Sequence, residues 1–170
     1  MIRIVLTASQ TPFGAAIRWI TKGQVSHAMI QSPDPQWGGE WIAQATLPQV
    51  VRVPAEHARH NVYVEYRCKF DAEAALPKLR DFMGEWYGFG GIVILGWIKL
   101  WWRVFKRKLK VPHYTVKGQF CSELVARFFQ AADLPEVAAW DVERITPEDI
   151  RRYCERHPDL FEKIEASALF

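Results

Sequence analysis

The sequence predicts an α+β domain in which an antiparallel sheet packs against helices. Three observations carry that prediction. Five short segments with strand character fall within the first 67 residues, broken by turn residues and one helix. Apolar residues at helical spacing dominate afterwards. The stretch 118–129, Gly-Gln-Phe-Cys-Ser-Glu-Leu-Val-Ala-Arg-Phe-Phe, reads as an extended entry into a helix with Cys121 in its first turn. At 170 residues and 49% hydrophobic content, the chain is long and apolar enough for one domain with a real core, which excludes a disordered chain.

Residues 2–6 read as the first strand. Thr11-Pro12 opens a helix through about Lys22, with proline at a favoured early position, and Gly23 closes it. Residues 25–30 and 40–45 are the next strands, separated by a turn-rich stretch from Pro33 to Gly39. Residues 50–53 continue the sheet after Leu47-Pro48. Residues 62–67 alternate apolar and polar, as a half-buried strand does. A helix is expected over about 72–87, with Pro77 bending it or moving its start to Leu76. The Cys121 helix runs to about Asp133. Thr146-Pro147-Glu148-Asp149 starts a last helix, with threonine as N-cap, proline at N1 and acids in the first turn, and it runs to about Glu155. No repeat, linker or low-complexity tract divides the chain, so residues 1–170 are read as one domain carrying an apolar and basic insert at about 88–117.

The chemistry centres on Cys121. A lone cysteine on an amphipathic helix is ordinarily a small core residue. In a first turn, however, unpaired N–H groups and the helix dipole stabilise a thiolate, so such a cysteine becomes a nucleophile when a base is at hand. His27, on a strand between Ser26 and Ala28, is the candidate base. A third polar group must orient its imidazole. Alternation along 40–45 puts Glu40, Ile42 and Gln44 on one face, so either Gln44 or Glu40 can take that role. Cys68 and Cys154 have no base pattern near them and are read as structural. Three cysteines without framework spacing exclude a disulfide scaffold, and the absence of C-x-x-C or H-x-x-x-H spacing argues against a metal site. No cofactor is expected.

Taken together, Ile17-Arg18, Gly23, Ser26-His27, Gln44-Ala45, residues 50–54, Phe120-Cys121-Ser122-Glu123-Leu124 and the closing Ile145-Thr146-Pro147-Glu148-Asp149-Ile150 resemble the permuted NlpC/P60 papain-like hydrolases. The likeness is to their YiiX/YaeF-like, LRAT-related branch, in which histidine precedes cysteine. It covers nearly the whole chain apart from the 88–117 segment. It implies a permuted papain-like fold, Cys121 as nucleophile, His27 as general base and Gln44 as orienting group, with Glu40 the alternative. Relatives often carry an acid at the Gln44 position; an amide accepts the imidazole N–H but stabilises an imidazolium less. The resemblance also implies attack on an amide or ester carbonyl through an acyl-enzyme, the Cys121 N–H contributing to an oxyanion hole. Ser26, Ser122, His113 and Tyr114 are candidates for that hole or for the cleft lining.

The expected activity is that of a thiol-dependent amidase or peptidase, with cell-wall peptides the substrate most implied. The alternatives are a lipid-directed thiol acyltransferase or lipase at a membrane surface, and a non-catalytic binding module that keeps the fold. The membrane alternative comes from the insert. The apolar run 89–102 is shorter than the roughly 20 residues a spanning helix needs. Trp97, Trp101 and Trp102, then Arg103, Lys106 and Arg107, fit either an interfacial element against an anionic surface or a lid over the core. The net charge is +3, but between Glu85 and Glu123 there are seven bases and no acid, so the rest of the chain carries −4. That segment is too apolar for a nucleic-acid groove. Residues 1–6 are too short an apolar run for a signal peptide. The free thiols fit a cytoplasmic location, to which the membrane alternative adds peripheral contact through 88–110 and the lid alternative does not.

Overall fold

The computed structural model describes residues 1–33, 39–46, 49–81, 83–84 and 121–164. The expected insert, and with it His113, Tyr114, Trp97, Trp101, Trp102, Arg103, Lys106 and Arg107, lies outside the described residues.

Six strands form one sheet: β1 (Arg3–Thr7), β2 (His27–Pro33), β3 (Glu40–Ala45), β4 (Val50–Pro54), β5 (Val62–Cys68) and β6 (Phe161–Ile164). Their order is β4-β3-β2-β1-β5-β6, and every neighbouring pair is antiparallel. The helices are α1 (Pro12–Thr21), α2 (Ala55–Ala58), α3 (Leu76–Arg80), α4 (Cys121–Ala131) and α5 (Pro147–Arg156). The architecture is the expected α+β arrangement of an antiparallel sheet against helices.

The two sheet faces differ. Ile4, Leu6, Ala28, Ile30, Ala43, Ala45, Val64 and Tyr66 share a large core with Leu124, Val125, Phe128 and Phe129 of α4 and Ile150, Tyr153 and Cys154 of α5. Each large side chain buried there contributes on the order of 1.5–3 kcal/mol. Phe129 is the hub, with ring contacts to Trp140, Tyr153 and Phe161 at 5.3–6.4 Å between centroids. On the other face Val5, Met29 and Ile42 pack against Ala55 in a much smaller cluster.

Several local expectations are met by identifiable chemistry. The Thr11 hydroxyl accepts from the Gly14 N–H at 3.2 Å, with Pro12 at the start of α1. Thr146 and Asp149 form a reciprocal capping box at α5. Pro77 cannot donate inside a helix, and α3 accordingly begins at Leu76, after a single 3-10 turn at Glu73–Ala75. The helix expected to reach 87 ends at Arg80; Gly84, at φ +83°, follows in a turn.

Gly23 does follow α1, but its role differs from the expected one. Lys22 is the left-handed cap, at φ 52°. A Cβ on Gly23 would stand 2.7 Å from the Glu148 Cβ, so glycine is needed for close approach to α5. Through that gap the Gln24 N–H donates to the Glu148 carboxylate at 2.9 Å. Glu148 is buried, and burial works against its charge. Hydrogen bonds from Arg151 and the Gln24 N–H nevertheless hold its pKa below the ordinary carboxylate value. The segment entering His27 is thereby tied to α5.

Candidate active site

Cys121 is the first residue of α4 and is 5% exposed. The first turn is anchored by the Ser122 hydroxyl, which donates to the Ile145 carbonyl at 2.6 Å. The thiol meets the His27 imidazole in a side-chain hydrogen bond, and the Ala28 and Ser122 N–H groups also point to its sulfur. His27 begins β2 and is half-buried. Its Nε2–H donates to Gln44 Oε1 at 3.0 Å, which leaves Nδ1 as the ring nitrogen facing Cys121.

The electrostatics follow from this geometry. Burial opposes the charged form of each group, raising the thiol and lowering the imidazole. Their mutual attraction and hydrogen bonds outweigh it. Cys121 is held below the ordinary thiol value and His27 above the ordinary imidazole value, so each favours the other's ion. The other two cysteines behave oppositely. Burial pushes Cys68 up to about 12 and Cys154 well above its ordinary value.

Strand register decides between the two candidate orienters. β2 and β3 pair Pro33 with Glu40, Gln31 with Ile42 and Ile30 with Ala43. Glu40 is therefore at the far end of the pair from His27, where it accepts from the Gln31 side-chain amide and lies 3.9 Å from Arg3. Gln44 is at the near end and holds His27.

Ser26 is buried beside the pair, but its hydroxyl is engaged elsewhere. It accepts from the Ser9 N–H at 2.9 Å and donates to the Thr7 carbonyl at 3.3 Å. With Ser122 donating to Ile145, both serines brace the site's backbone. Glu148 was missed as a supporting residue. An acid in a helix's first turn reads as a solvated cap, and its burial depends on a glycine 125 positions away.

No family model matches the chain, and no curated protein matches it by sequence. Among solved structures it is similar to metalloprotein yiiX from Escherichia coli O157:H7, of DUF1105, at 16% identity and a TM-score of 0.54, covering 97% of this chain and 87% of that one. The fold is thus YiiX-like.

Proposed function

We propose that this protein is a thiol-dependent acyl hydrolase acting on amide or ester bonds, as its resemblance to the permuted NlpC/P60 papain-like enzymes implies. The observation that carries the reading is geometric: Cys121 at the start of α4 faces His27 at the start of β2, and Gln44 Oε1 holds the imidazole from its other side at 3.0 Å.

The chemistry follows from the pair. The Cys121 thiolate attacks the carbonyl carbon, and the oxyanion is met by N–H groups at the start of α4, that of Cys121 among them. As the C–N or C–O bond breaks, the leaving atom takes the proton from the His27 imidazolium. The thioester that remains is hydrolysed by a water whose proton goes to the neutral imidazole. Breaking the C–S bond restores thiolate and imidazolium. Gln44 contributes orientation without countercharge. Its carbonyl fixes the tautomer, while the Cys121 thiolate is the charge that sustains the imidazolium.

The yiiX protein is titled a metalloprotein. Among the described residues no group of three or more His, Cys, Asp or Glu side chains is placed to hold a metal ion. Cys121 and His27 offer two ligands where a structural or catalytic zinc takes at least three from the protein. These two residues do not fit a metal centre.

Treatment with p-nitrophenyl acetate tests the reading. The expected result is an acetyl group on Cys121, found by peptide mass mapping, that is lost on standing; Cys121→Ser removes it. Labelling no faster than at Cys68, or unchanged labelling in His27→Ala, would leave the non-catalytic binding module as the better account.

A further inference from the structure

Cys121 opens α4 and His27 opens β2, so the reacting pair joins the ends of two elements far apart in the chain. A displacement of about 1 Å between reacting groups can cost on the order of 100-fold in rate. What holds the two ends therefore matters. Both fasten to one short stretch, the entry of α5. On the cysteine side, the Ser122 hydroxyl donates to the Ile145 carbonyl at 2.6 Å. On the histidine side, the N–H of Gln24, three residues before His27, donates to the Glu148 carboxylate at 2.9 Å. Ile145 and Glu148 flank the Thr146 N-cap, and the Thr146–Asp149 capping box fixes the backbone between them.

That stretch is in turn anchored to the sheet. Arg151 donates to Glu148 at 2.7 Å and to Glu155 at 2.5 Å. The buried Tyr66 of β5 donates to Glu155 at 3.3 Å. A chain of charge-assisted bonds thus runs from Gln24 through Glu148, Arg151 and Glu155 to β5. Glu148 is not needed as a cap, because Thr146 and Asp149 already fill that role. The side chains that shift the His27 imidazole are Cys121 and Gln44. Glu148 therefore bears on His27 through the backbone between them and not through its charge.

We propose that the entry of α5 sets the separation of the Cys121 sulfur and the His27 ring, with Glu148 the positioning residue for His27 and Ser122, through Ile145, the positioning residue for Cys121. The inference rests on the acyl-hydrolase reading above, in which that separation governs the rate. Its physical content is that two catalytic ends share one brace, so loosening either side of the brace parts the pair.

Ultraviolet titration of the Cys121 thiolate tests it, taken as the difference between each variant and the same variant carrying Cys121→Ser. The inflection reads the separation, since a nearby imidazolium lowers the thiol and a more distant one does so less. Glu148→Ala removes the histidine-side tie, and the inflection is expected to rise by about one unit. Glu148→Gln removes the charge but keeps an acceptor for the Gln24 N–H, and it is expected to hold the inflection near the wild-type value. Ser122→Ala keeps the Ser122 N–H and every Glu148 contact, and it is expected to raise the inflection by about half a unit. Acetylation of Cys121 by p-nitrophenyl acetate should slow in the same order. A lower urea midpoint with an unmoved inflection in Ser122→Ala and Glu148→Ala would make both residues merely structural and overturn the assignment. An equal rise in Glu148→Gln and Glu148→Ala would overturn it too, by tracing the effect to charge. If Glu148→Ala does not fold, an unmoved Ser122→Ala inflection is enough to overturn it. A lowered wild-type inflection that rises in these variants, in a wild type that forms no acetyl-Cys121, would sink the hydrolase reading and leave the positioning intact.

Discussion

Cys121 and Cys154 are both nearly fully buried, at 5% and 1% exposure, and both belong to helices packed on the same face of the sheet. Yet one is held below the ordinary thiol pKa and the other pushed well above it. Burial raises both, so burial does not separate them. The difference lies in what faces the sulfur. Cys121 opens α4 and meets the His27 ring and two N–H groups. Cys154 lies in the last turns of α5, between Tyr153 and Glu155, where burial and the neighbouring Cys68 and Glu155 side chains all disfavour its thiolate. A thiol needs a nearby cation and donors, in a place where helix amides are still unpaired, before burial can be overcome.

The largest break in that contrast is expected from His27→Ala. Without the cation, Cys121 moves up toward the behaviour of Cys154, and its iodoacetamide rate at neutral pH should fall by roughly 100-fold. Peptide mapping reads this directly, with Cys154 unchanged as internal control. Gln44→Ala should cost about tenfold in acetylation rate, because the ring loses its orienting acceptor. Gln44→Glu sharpens the same point. The proposed ion pair is bounded on the acid side by the thiol titration and on the basic side by the imidazolium titration, which move apart as the first is lowered and the second raised. A carboxylate beside Nε2 should move the upper limit of the rate–pH profile up by about one unit or more while the lower limit does not rise.

Smaller effects test the scaffold on which the two thiols sit. Gly23→Ala forces a Cβ into Glu148 and should cost about 1–3 kcal/mol by urea unfolding, with slower Cys121 acetylation because the entry to His27 is loosened. Thr146→Ala removes one side of the α5 capping box and should cost about 1 kcal/mol in the same assay.

The sequence carries these features unequally. Caps were legible because they are local: Thr11-Pro12 and Thr146-Pro147 state their helix starts within a few residues. The Cys121 first turn and the His27 strand were legible for the same reason. Gln44 against Glu40 was not, because both share a strand face and only the β2–β3 register, which pairs Pro33 with Glu40, separates them. β6 was missed because Phe161-Glu162-Lys163-Ile164 is four residues with two adjacent charges, and its partner β5 lies about ninety positions earlier. Gly23 was placed at the right boundary for the wrong reason, since the side chain that demands its smallness belongs to Glu148.

The central claim is that Cys121 and His27 form a thiolate–imidazolium pair. Thiolate absorbs in the ultraviolet and thiol does not, so a pH titration of the absorbance difference between wild type and Cys121→Ser reports this one group without requiring access to it. The account predicts an inflection below that of an ordinary thiol, moved upward in a His27→Ala background. An inflection at or above the ordinary thiol value, unmoved by removing His27, would contradict it.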